Sequence, residues 1–137
     1  MSGAGEALQA AFAAALREIE GLGVYDGPPV QAAFPYAVAD AGLETDWSHK
    51  SGSGREVRIA VTIRDKGERP LRLRRLIGEA ETVLSVLART YEGWRLVSLF
   101  YLRSRLLPET RGSGPAAQPG WAGVIEFRAR MLREEPG

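Results

Sequence analysis

EVRIAVTIRD, residues 56–65, decides the fold of this chain. Val57, Ile59, Val61 and Ile63 alternate with Arg58, Ala60, Thr62 and Arg64, and successive side chains of a strand point to opposite faces. The stretch therefore predicts a strand with one buried and one wet face, and the buried face needs a covering layer. Downstream of Pro70, a residue suited to a first helical turn, Leu73, Leu76, Ile77, Ala80, Val83, Leu84 and Leu87 recur at helical spacing and form a wide apolar stripe. Upstream, Leu8, Phe12, Ala15, Leu16 and Ile19 repeat the spacing in an alanine-rich segment. That segment is predicted helical over about residues 5–20 and ended by Gly21 and Gly23.

Two more strands come after the second helix. Residues 94–107, WRLVSLFYLRSRLL, are rich in β-formers, and residues 121–132, WAGVIEFRARML, alternate through Ile125, Phe127, Ala129 and Met131. PETRGSGPAAQPG, residues 108–120, carries turn residues without periodicity and predicts a long hairpin loop between them. In VYDGPPVQAAFPY, residues 24–36, Pro28, Pro29 and Pro35 fix φ and remove amide donors. This reads as a stiff extended connector, with Tyr25, Phe34 and Tyr36 available to pack it down. YAVADAGLETDW then predicts an edge strand, and residues 49–56 a mobile polar loop. The sum is an α+β two-layer domain spanning residues 1–137: a mostly antiparallel sheet of about four strands, two helices on one face, and long loops.

Composition narrows the function. With 45% hydrophobic residues in 137, one compact core is expected. A 26% charged content balanced to net +1 gives no general field for nucleic acid or a membrane surface, so partners are recognised locally. The absence of cysteine excludes disulfides and thiolate metal sites. The N-terminal apolar segment is broken by Gln9 and ends in charges, unlike a signal peptide or a membrane span.

Chemistry-bearing patterns are few. His49, the only histidine, sits in a polar loop, where an adjacent serine does not make a triad. Asp40, Glu44 and Asp46 have alternate spacing that would place them on one strand face, either as a hard-cation site or as a solvated face. SGSGRE lacks the lysine and the following serine or threonine of a phosphate-binding loop. Arg72, Arg74 and Arg75 form a basic flank on the second helix, a weak nucleic-acid candidate without a recognition motif. Arg58, Arg64, Arg103, Arg105, Arg128 and Arg130 fall on the outer sheet face, either solubilising it or lining a subunit interface. No cofactor is expected.

Several of these pieces occur together in a known family. The early helix followed by VYDGPP and then FPY, the GLETDWS segment, the glycine-containing polar loop, a strand and a long apolar helix resemble the small phage tail proteins described as tail completion or tail terminator proteins. Relatives of these occur in gene transfer agents, phage-like particles that package host DNA. The resemblance covers roughly residues 16–87. It implies a non-enzymatic virion component, assembled in the bacterial cytoplasm and located at the head–tail junction. Six copies would form a ring that caps the tail tube and stops its polymerisation. The ring would contact the tail tube protein and a head–tail connector and let DNA pass without sequence reading. On that reading the candidate assembly residues are Tyr25, Pro28, Pro29, Pro35, Tyr36, Trp47, Arg58 and Arg64. Two other classes stay open: a ligand-binding or enzymatic domain using Asp40, Glu44, Asp46 and His49, and a nucleic-acid binder using Arg72, Arg74 and Arg75.

Overall fold

The strand at the centre of the sequence pattern is β3 (Gly54–Lys66) of a computed structural model that describes residues 3–27 and 29–134. Its alternation is realised: Val57, Ile59, Val61 and Ile63 are buried, while Arg58 is exposed. β3 pairs antiparallel with β2 (Tyr36–Asp46) on one side and β6 (Gln118–Arg133) on the other. β6 pairs in turn with β5 (Trp94–Arg111). Two short strands complete the sheet. β1 (Gly23–Tyr25) lies parallel to the start of β2, and β4 (Thr90–Tyr91) pairs with the start of β5. The order is β1-β2-β3-β6-β5-β4.

Helices α1 (Ala4–Leu16) and α2 (Leu71–Ser85) cover the apolar face. Leu8, Phe12 and Leu16 from α1 and Leu73, Leu76 and Leu84 from α2 are essentially inaccessible. They press on Val57, Ile59, Ile125 and Met131, and the Phe12 ring meets Phe127 edge-on at 5.4 Å. Each such side chain contributes about 1.5–3 kcal/mol by leaving water, so the two stripes account for why both helices dock. Gly123 sets how closely α2 approaches: a Cβ there would lie 2.5 Å from Ile77 Cδ1.

The expected sheet of about four mostly antiparallel strands is corrected to a mixed, curled sheet of six. The two additional strands have 3 and 2 residues, too short to carry a period. β1 begins at Gly23 and runs into the stretch read as connector, ahead of its prolines. β4 is held by a two-residue turn, Glu92 and Gly93, both at positive φ (42° and 88°), the conformation that matches hairpin twist. The curl arises from β-bulges, which bend a strand and raise its twist. β2 bulges between Ala41 and Leu43, and β5 bulges between Tyr101 and Arg103. These two bulges flank one row of paired residues, Asp40, Ala60, Glu126 and Arg103.

Other boundaries shift too. α1 ends at Leu16, and residues 17–21 turn, while Ile19 and Leu22 still reach the core. The expected long hairpin loop is mostly strand: β5 runs to Arg111 and β6 begins at Gln118, leaving a tip with one 3-10 turn, Gly114–Ala116. β2 is an edge only beyond Val38, where β1 stops.

Candidate assembly surface

The two margins of the sheet differ. On the β5 side, β4 covers only Trp94 and Arg95, and no described strand pairs with the rest of that edge. Along it Val97, Phe100, Tyr101, Leu102 and Leu107 are 39–51% exposed. Val97 and Leu102 are the extra residues of two bulges. Phe100 lies beneath the Arg128 guanidinium, 4.8 Å from ring centre to Cζ. Tyr101 turns to the helix face, edge-on to Phe127, and its hydroxyl meets Ser104 Oγ at 2.8 Å. Between this edge and α2 runs a cavity of about 350 Å³ lined by Glu81, Ser85, Leu99, Tyr101 and Phe127. Unpaired strand backbone beside exposed apolar side chains is a template for another chain.

The outer face is a lattice of ion pairs. Arg64 Nε donates to Glu109 at 3.2 Å, Arg130 Nε to Glu56 at 3.1 Å, and Arg103 to Glu126, while Arg128 lies 3.9 Å from Glu56. The hydrogen bond from Arg103 holds the Glu126 carboxyl below its ordinary value, against the opposing effect of burial, and the charges of Arg105 and Arg58 add to it. All six outer arginines thus have carboxylates nearby, so this face is not a bare cationic surface. Where the sheet curls, a groove of about 530 Å³ opens, with Asp40 and Leu43 on one wall, Leu102 and Arg103 on the other, and Arg58, Ala60 and Glu126 between.

A third cluster ties the connector to the hairpin tip. The Tyr25 and Tyr36 rings meet edge-on at 5.8 Å, and Phe34 is tilted against Tyr36 at 5.5 Å. Arg111 stacks over Phe34 at 4.0 Å and reaches the Asp65 carbonyl. Asp65, 5% exposed, accepts two hydrogen bonds from Arg72, at 2.6 and 2.8 Å. Burial pushes its carboxyl up, but Arg72 and the Lys66 N–H outweigh this and hold it below the ordinary carboxylate value.

The family profile of Tail completion protein gp17 matches residues 6–132. The chain belongs to this family. A chain from the virion of a native gene transfer agent (GTA) particle is similar in structure, with a TM-score of 0.67 and 26% identity over 96% of this chain and 99% of that one. No curated protein matches significantly. This member of the tail completion family is a structural tail protein of a phage-like particle. The resemblance carried by VYDGPP, FPY and GLETDWS is therefore confirmed at the level of the family.

Within this tail completion protein the predicted residues fall in three places. Tyr25, Pro35, Tyr36 and Arg64 meet at the connector cluster, where Arg64 is the register partner of Tyr36. Pro35 is buried behind a cis peptide and Pro29 is half-buried, while Pro28 lies outside the described residues. Trp47 is at the opposite end of the sheet, against His49 at 4.5 Å and beneath Arg130 at 5.4 Å. Arg58 stands in the groove between them.

Asp40, Glu44 and Asp46 do not share a face. The bulge after Ala41 inverts the alternation, so Asp40 stays on the outer face with Ala60, while Glu44 pairs with buried Val57 and accepts the Gly5 N–H at 2.9 Å. Among the described residues no group of His, Cys, Asp and Glu is placed to hold a metal ion. His49 and Gly52 exchange backbone hydrogen bonds that close a tight turn. Of the basic flank, Arg72 is clasped by Asp65 and Arg75 by Glu79. No helix among the described residues is long and apolar enough to cross a membrane.

Sequence reasoning passed over Val97, Phe100, Tyr101 and Leu102. The signal was present: LFYL, residues 99–102, breaks the alternation that a half-buried strand requires.

Proposed function

We propose that this protein is a tail terminator, six copies of which close into a ring at the top of the tail tube. The ring ends tube polymerisation, offers the surface on which the head connector docks, and leaves a channel for DNA. The observation that carries this reading is the family match over residues 6–132, with a gene transfer agent virion chain of the same fold and length. The open, apolar β5 edge supports it, since a chain that works alone gains nothing from leaving such an edge uncovered. Head-to-tail contacts between identical copies close when the rotation permits, and a closed ring gives a growing tube no matching surface to extend. No chemical step is required, and the protein acts by shape. DNA passing the channel is met through its phosphates without base reading. Assembly takes place in the bacterial cytoplasm, before head and tail join.

Removing the gene tests this reading. Over-long tails lacking heads are expected in electron micrographs, whereas tails of normal length with heads attached overturn it.

A further inference from the structure

The sheet's two margins carry opposite charge. On β5 the exposed stretch from Val97 to Leu107 contains Arg103 and Arg105 and no carboxylate. On β2 the exposed end holds Asp40 and an exposed Leu43 on the outer face, where Arg58 is the register partner of Leu43, while Glu44 and Asp46 on the other face share Arg55. The Asp40 carboxylate makes no hydrogen bond or ion pair with any described residue. Arg103 is ion-paired to Glu126 of the neighbouring strand, which leaves Arg105 as the outward cation of an otherwise apolar margin, against Asp40 beside a single apolar knob on the other.

From this complementarity we infer that the β5 margin of one copy docks on the β2 margin of the next, and that this contact closes the ring; the inference rests on the ring reading above. The contact is made by side chains rather than by added strand pairing. The Ala41 N–H on β2 already donates to Gln9 Oε1 at 3.0 Å, and the bulges at Val97 and Leu102 break the regular edge of β5. Leu43 packs among the exposed apolar residues of β5, and Arg105 faces Asp40. Such a contact is heterologous: the two patches differ, so a two-fold dimer cannot satisfy both, and propagation around an axis does.

Charge reversal in the producing strain tests the contact. Asp40→Lys and Arg105→Glu each place like charges across the boundary, and each is expected to lower the fraction of particles carrying a terminal ring by about tenfold or more. The double variant restores the opposite pairing and is expected to recover rings. Thermal melting of the purified full chains shows that each variant folds, since both positions are exposed. Because the chain has no cysteine, Leu43→Cys combined with Leu102→Cys adds a second readout: oxidised particles should yield a ladder of cross-linked species, with none from either single variant. Rings unaffected by both reversals, a double variant no better than the singles, or cross-linked dimers from Leu102→Cys alone overturn the proposed contact while leaving the ring reading in place. Wild-type particles without any ring overturn both.

Discussion

The two margins of one sheet are treated in opposite ways. On the β2 side, β1 pairs with the first residues and α1 covers the next stretch of the strand, with Gln9 taking the Ala41 N–H and Glu44 taking the Gly5 N–H. On the β5 side only β4 intervenes, over Trp94 and Arg95, and the strand then runs uncovered past Phe100, Tyr101 and Leu102. A protein that spends a helix and a strand on closing one edge shows that edge protection is within its means, so the open edge reads as a surface kept for a partner. The α1 contacts at the closed margin hold the monomer together, whereas Val97, Phe100 and Leu102 at the open margin are exposed.

The largest expected effect breaks the closed margin. Phe12→Ala removes the ring that anchors α1 on Phe127 and should destabilise the chain by about 3–5 kcal/mol in urea denaturation, exposing β2 as well. Next is the clasp at the start of α2. Asp65→Asn is expected to cost about 1–2 kcal/mol, the lower end reflecting the half-exposed Arg72. Its pH dependence has a definite sign. Because the folded carboxyl is held below its ordinary value of 3.8, its contribution is present above that value and lost as pH falls through the lower, folded one. Acid titration of stability should therefore be flatter in Asp65→Asn. Gln9→Ala frees the Ala41 N–H and should cost about 1 kcal/mol, with faster amide exchange at Ala41. The smallest effect on stability is expected at the open margin. Leu102→Lys should change unfolding by no more than about 0.5 kcal/mol while abolishing ring formation on particles. An equal loss of stability would make Leu102 part of the fold rather than of the interface.

The central layer was legible because its signals are periodic. The alternation of Val57 to Ile63 and the stripe from Leu73 to Leu84 each report a buried face directly, and both helices and the strands β3 and β6 emerge from such patterns. β1 and β4 were not legible: strands of two or three residues have no period, and they exist only because a longer strand lies beside them. The bulges were equally silent, and one of them undid the expected grouping of Asp40 with Glu44 and Asp46. Of the assembly residues expected from the sequence, Tyr25, Pro35, Tyr36 and Arg64 gather into one cluster that braces the connector against the hairpin through Glu109 and Arg111. At the exposed β5 residues LFYL breaks the alternation but does not say why, because a β-rich stretch looks the same whether its second edge is paired or open. Only the topology decides that.

The open β5 margin, on this account, becomes an interface in the particle. An electron-microscopy map of the intact particle, resolved to side chains at the end of the tail tube, tests this most directly. The expected result is a six-fold ring of this chain in which Val97, Phe100, Leu102 and Arg105 are buried against the β2 margin of the neighbouring copy. A ring in which that margin faces solvent or the channel, or a tube end with no ring of this chain, would contradict it.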